Sequence, residues 1–138
     1  MPERDYKHRS LVDKLGVKPG LRIAAINISS LPFIDLLAHA VGSKPSFSLR
    51  GKYDMVFLQI DTIKDLSRIP NVVEHLTDAG ALWVFHPKGK DAAVKDAEVR
   101  EVYLSCGLVD NKISAYTETH TATRCVIPLA RRSGGRRQ

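Results

Sequence analysis

The sequence predicts a three-layer α/β fold: a mostly parallel sheet with helices on both faces, closed by a C-terminal antiparallel hairpin. Three observations lead there. Short apolar runs recur at residues 22–28, 53–60 and 81–86, and unbroken apolar character marks strands covered on both faces. Between these runs the apolar spacing changes to a helical period. Two further strand-like runs, residues 108–116 and 121–129, stand on either side of Thr117-Glu-Thr-His120, which is hairpin spacing. Strand–helix alternation implies right-handed crossovers and parallel neighbours.

The elements follow in order. Ser10 and Asp13 open a short helical turn that Gly16 closes. Lys18-Pro19-Gly20-Leu21 suits a type II turn ahead of the first strand. After Ser29-Ser30-Leu31-Pro32, the residues Ile34, Leu37 and Val41 make one helical face, with Asp35 in the first turn and Gly42 at the end. Residues 43–52 read as a loop with a short edge strand at 46–49. Residues 61–78 read as a helix in two pieces, broken or bent at Pro70. Leu66, Ile69, Val73 and Leu76 form its apolar face, and Gly80 stands at its end. Residues 91–106 form an amphipathic helix on Val99, Val102, Tyr103 and Cys106, with Gly107 as its terminator. The expected domain spans residues 10–130, after a tail at 1–9 and before a disordered basic tail at 131–138.

Composition narrows the function classes. With 43% hydrophobic and 26% charged residues, the chain is ordinary for a globular protein. No apolar run approaches the ~20 residues of a membrane span, and the charged start has no apolar core of a secretory signal. A cytoplasmic setting is therefore the expectation. Cys106 and Cys125 lack ligand spacing and read as reduced thiols packed as small hydrophobes. The net charge is +6. Residues 131–138 hold four arginines and no acid, while residues 19–130 hold twelve basic and twelve acidic side chains. A groove that tracks a phosphate backbone usually carries its basic stripe on the body. The excess at the ends reads as solubilising, so nucleic acid is a disfavoured partner.

Three blocks carry a resemblance: Leu15-Gly-Val-Lys-Pro-Gly20; Gly80-Ala-Leu-Trp-Val84 with Pro87-Lys88; and Gly107-Leu-Val-Asp-Asn-Lys112 with Glu118-Thr119. Together they resemble a bacterial domain family of unknown function whose members are short and Rossmann-like. The resemblance runs over residues 10–132 and implies a fold without an activity. His120 stands where that pattern usually has tryptophan. More distantly, the chain resembles the second half of S-adenosylmethionine-dependent methyltransferases, shortened on its N-terminal side. Such enzymes place an acidic residue and a Gly-x-Gly run just after the first strand, so that backbone can approach the cofactor. Here that place reads Asn27-Ile-Ser-Ser-Leu-Pro-Phe33. It has no glycine, and Leu31, Pro32 and Phe33 are expected to crowd the space. No cofactor is expected in that mode.

In an open α/β sheet, ligands bind at the carboxyl ends of the strands. The polar groups expected there are Asn27, Ser29, Ser30, Gln59, Asp61, Thr62, His86, Lys88, Lys90, Glu118 and His120. Ser29 and Ser30 read first as helix N-caps, although free amides at a helix start also hold anions. Asp61 and Thr62 read first as a capping pair. His86 suits a general base by type, and Lys88-Gly-Lys90 suits an anion. A lone histidine at a strand end is more often packed, and such a loop more often solvated. Asn27, Ser29, Ser30, Asp61, His86, Lys88 and Glu118 are the expected ligand-binding set. No catalytic constellation and no metal-ligand spacing is present. Trp83, Phe57 and Phe85 read as core.

Three functions remain open. The leading one is a non-catalytic module that binds a small anionic ligand or a protein partner. The second is a small diverged transferase using His86, Lys88 and Asp61. The third is weak nucleic-acid association through the arginine tail. The 46–49 edge or the hairpin edge also offers pairing to a second copy, which would make a homodimer.

Overall fold

The structure, a computed structural model, describes residues 11–131. The expected cap at Ser10, the tail at 1–9 and residues 132–138 of the basic tail lie outside them. Five strands form one sheet: β1 (Ile23–Ile26), β2 (Tyr53–Gln59), β3 (Leu76–Pro87), β4 (Val109–Ala115) and β5 (His120–Val126). Their order across the sheet is β1-β2-β3-β5-β4. β1, β2 and β3 pair in parallel, and β5 runs antiparallel to both β3 and β4. Only β5 opposes the common direction, as a mostly parallel sheet with a closing hairpin requires. The antiparallel strand, expected at the edge, instead lies one place inside it. β5 buries Ala122, Thr123, Cys125 and Val126, whereas β4 is mostly exposed, so the apolar strand takes the inner position.

Among the described residues, residues 11–15 are helical ahead of Gly16, and three further helices complete the layers: α1 (Leu31–Val41), α2 (Arg68–Val73) and α3 (Asp96–Ser105). Strand residues alternate between faces. Val56, Leu58, Leu82 and Val84 pack with Ile69, Val72, Val99 and Tyr103 under α2 and α3. Met55, Phe57, Trp83 and Phe85 pack with Ile34, Leu37 and Val41 of α1 and with Leu15 and Val17 of the chain before β1. Both Trp83 and the two phenylalanines are fully buried, as read from the sequence.

Several local expectations are corrected. The helix expected to run to residue 78 ends at Val73, and Leu76 already belongs to β3, paired with Tyr53. The register then shifts, and Met55 meets Ala81. Gly80 is therefore part of the irregular stretch of β3, where a Cβ would lie 2.9 Å from both the Tyr53 carbonyl oxygen and Thr77 Oγ1. Pro70 does not break a helix. A 3₁₀ turn (Ile63–Ser67) precedes α2, and Pro70 falls in the first turn of α2, where its missing N–H has no partner to lose. Asp35 lies past the first turn of α1, which holds no acidic residue. α3 starts at Asp96, not at 91, because the Glu98 carboxylate accepts from the Lys95 amide at 2.8 Å and fixes the start. The edge strand expected at 46–49 is one isolated bridge from Ser46 to Ala24. Arg131 closes a short 3₁₀ turn (Leu129–Arg131), its amide donating to the Pro128 carbonyl at 2.9 Å. Among the described residues no helix is long and apolar enough to cross a membrane.

Candidate functional site

The carboxyl ends of β1, β2 and β3 meet the start of β5 along one edge, because β5 runs the opposite way. At the end of β1 the chain turns off the sheet at Asn27, whose φ of +61° is the one positive value outside glycine among the described residues. Asparagine tolerates this left-handed geometry better than most residues. Its side-chain amide donates to the Gln59 carbonyl at the end of β2, at 2.9 Å. The Gln59 amide in turn donates to Asp61 at 3.0 Å. His120 Nε2 donates to the other Asp61 oxygen at 2.6 Å, and His120 Nδ1 lies 2.8 Å from Thr119 Oγ1. The result is a polar chain across the edge, Asn27–Gln59–Asp61–His120–Thr119, which ties the hairpin tip to the end of β2. The Lys88 amide, bonded to the Thr119 carbonyl at 3.0 Å, holds the same tip to the end of β3.

Asp61 is available for this because another carboxylate caps the following turn. Asp65 Oδ2 accepts from the amides of Asp61 and Thr62 at 2.9 and 3.1 Å. Desolvation alone would raise the Asp65 carboxyl; the two amides, Thr62 and Arg68 outweigh it and hold it below its ordinary value. Of the expected capping pair, Thr62 is the N-cap residue, while the carboxylate that caps the turn is that of Asp65 and not of Asp61. Thr62-Ile-Lys-Asp65 is close to a capping-box spacing, a signal present in the sequence.

The remaining expected residues are placed as follows. Ser30 caps α1, accepting from the Phe33 amide at 3.4 Å, as read from the sequence. Ser29, Lys88, Lys90 and Glu118 stand exposed around the edge. His86 stands at the end of β3 but is buried, 4% exposed, on the α3 side of the sheet. Its Nε2 pairs with Thr123 Oγ1 at 2.8 Å. Its Nδ1 faces Asp96 Oδ1 at 3.2 Å, an ion-pair contact, and has no other partner among the described residues. Burial lowers the His86 pKa, and the nearby Asp96 carboxylate opposes that shift without reversing it. A cavity of about 150 Å³ borders His86, Asp96, Asp110 and Thr123; neither Asp61 nor Lys88 lines it. Asp96 and Thr123 carry no sequence signal, because strand register and helix docking bring them to His86.

On the α1 side of the edge the space is filled by rings. Phe85 and Tyr116 stack with centroids 3.8 Å apart. Phe33 meets Phe57, Phe85 and Tyr116 edge-on at 5.2–5.6 Å. Burial pushes the Tyr116 hydroxyl up to about 12. Of the three residues expected to crowd the loop, only Phe33 does so, whereas Leu31 is 71% exposed and Pro32 also faces solvent. Among the described residues no group of three or more His, Cys, Asp or Glu is placed to hold a metal ion.

This architecture is the methyltransferase-like Rossmann fold. The magnesium protoporphyrin IX methyltransferase of Synechocystis PCC 6803, solved with S-adenosylmethionine bound, superposes with a TM-score of 0.60 over 90% of this chain and 77% of that one, at 16% identity. A putative methyltransferase from Thermoplasma acidophilum gives 0.64 over 87% and 72%, at 11% identity. A TehB-like S-adenosylmethionine-dependent methyltransferase from Corynebacterium glutamicum gives 0.59 over 88% and 87%, at 10% identity. At these identities the likeness is one of fold. No protein-family model and no curated protein matches the sequence.

Proposed function

We propose that this chain is a non-catalytic module that binds a small ligand or a protein partner, built on a methyltransferase-like sheet without that sheet's cofactor site. The observation that carries the reading is the polar chain at the strand ends, where Asn27, Gln59, Asp61 and His120 bond to one another. A glycine-rich loop lets backbone close on a cofactor. Here Asn27 makes the turn with its side chain committed to Gln59, Ser30 is committed to the helix, and Phe33 is locked among rings. The residues present do not fit S-adenosylmethionine in that mode. The resemblance to short bacterial Rossmann-like proteins of unknown function belongs to this reading, since it implies the fold without the loop.

A second reading, a diverged transferase, draws support from the fold likeness, which includes an enzyme with the cofactor bound. It needs His86, Lys88 and Asp61 to act together, and the cavity beside His86 includes neither of the other two. Thermal denaturation with S-adenosylmethionine and S-adenosylhomocysteine separates the readings. A ligand at ~100 times its dissociation constant stabilises a fold by about 2.7 kcal/mol, roughly 9 °C for a chain of this size. The binding-module reading expects no shift with either compound. A shift of that size with either would overturn it in favour of the transferase.

A further inference from the structure

A second concavity lies away from the strand ends, and it is built from cations. Trp83 of β3 pairs with Arg124 of β5, and Arg124 pairs with Lys112 of β4. Residues directly opposite across antiparallel strands share one sheet face, with Cβ atoms about 5 Å apart. Trp83 belongs to the core on the α1 side, so Arg124 and Lys112 stand on that side too. The chain before β1 brings two more cations to the spot. The Leu15 carbonyl accepts from the Trp83 indole N–H at 2.9 Å, and the Lys14 carbonyl accepts from Lys112 Nζ at 2.7 Å. These two bonds clamp the segment against the sheet. Lys14, Lys18, Lys112 and Arg124 then line a cavity of about 330 Å³ backed by Trp83, with no acidic side chain among the described residues that line it.

Lys112 and Arg124 of the sheet and Lys14 and Lys18 of the chain before β1 make a local concentration of positive charge around one hollow. A bound polyanion meets that charge at short range. Lysine serves phosphate as a point charge and arginine as a fork, and the Lys112 ammonium keeps two protons after its bond to Lys14. The volume sits at the low end of the ~300–1,000 Å³ usual for small-ligand pockets. The cations converge on one hollow and do not run as the stripe that tracks a nucleic-acid backbone. We propose that this cavity binds a small, multiply charged phosphate compound of nucleotide size, at a site separate from the strand-end edge.

The test uses the full chain, and Trp83, its one tryptophan, is the reporter. Inorganic tripolyphosphate is titrated while tryptophan fluorescence is read, and calorimetry with ATP gives an optical-independent constant. The proposal expects saturable binding that weakens as salt rises from 50 to 200 mM. Replacing the exposed pair in Lys14→Gln/Lys18→Gln is expected to weaken it about tenfold or more, at roughly the strength of charged hydrogen bonds. Lys88→Gln/Lys90→Gln, at the strand-end loop, leaves it unchanged. Circular dichroism and the urea midpoint establish that each variant is folded. Absence of saturable binding by the folded parent would overturn the proposal. So would equal loss in the Lys88/Lys90 pair, or loss only when residues 132–138 are deleted. A single-stranded 12-mer that binds while tripolyphosphate and ATP do not would also overturn it, as a polymer site.

Discussion

Breaking the Asp61–His120 contact should loosen the hairpin tip by a measurable amount without unfolding the domain. The perturbation is a double-mutant cycle with Asp61→Ala, His120→Ala and the double variant. The bond is 2.6 Å long with a charged acceptor, and the two side chains are 46% and 17% exposed. Exposed ion pairs contribute about 0.2–1 kcal/mol, and hydrogen bonds to charged groups about 1.5–3 kcal/mol. Half-exposed geometry lies between, so the expected coupling is about 1 kcal/mol. For 138 residues at about 2.1 cal/mol/K each, that is a shift of about 3 °C in Tm. Urea unfolding of the four proteins gives the coupling. Amide exchange at Thr117–His120 locates it, since the tip should exchange faster in either single variant while β2 and β3 keep their protection. Coupling below about 0.3 kcal/mol, within the error of additivity, would refute the claim that this bond holds the edge together.

Other outcomes follow from the packing. His86 has a folded-state pKa below its ordinary value, so the unfolded chain takes up that proton first as pH falls; stability present above pH ~6.5 is lost below it. The urea midpoint should fall between pH 7 and pH 5, and His86→Gln, which keeps a partner for Thr123, should flatten the slope; an unchanged slope contradicts the assignment. Gly80→Ala drives a methyl to 2.9 Å from the Tyr53 carbonyl oxygen. Its cost should be about 1–3 kcal/mol at unchanged m-value, and a variant as stable as the parent would show that the β3 irregularity yields freely. Burial pushes the Cys125 thiol up to about 12, whereas Cys106 is only partly buried. Ellman's reagent should therefore modify one thiol in the folded protein and the second only in denaturant; two fast thiols would contradict the placement of Cys125 in β5.

The sheet was legible because each covered strand announces itself as an apolar run, and the helical period between runs forces the crossovers. Phe57, Trp83 and Phe85 fell in the core on that ground alone. What failed was wherever two segments compete for one role. Leu66, Ile69, Val73 and Leu76 keep helical spacing, yet Leu76 is held by Tyr53 across the sheet, a partner that local spacing does not reveal. Asp61 looked like a cap, but Asp65 sits four residues on and takes both amides. The hairpin was clear, but its order in the sheet was not, since that depends on which strand buries more apolar surface. The cationic hollow was hidden because charge was counted along the chain. Register brings Lys112 and Arg124 together, and the Leu15–Trp83 bond adds the N-terminal lysines.

The central proposal is that this methyltransferase-like sheet has no open adenosyl site at its strand ends. Equilibrium dialysis of the full chain against labelled S-adenosylhomocysteine and S-adenosylmethionine tests it most directly. The account predicts no saturable retention of either compound up to millimolar concentration. Retention with a micromolar Kd that falls away in Asn27 or Asp61 variants would contradict it, and would place an adenosyl site where the polar chain now runs.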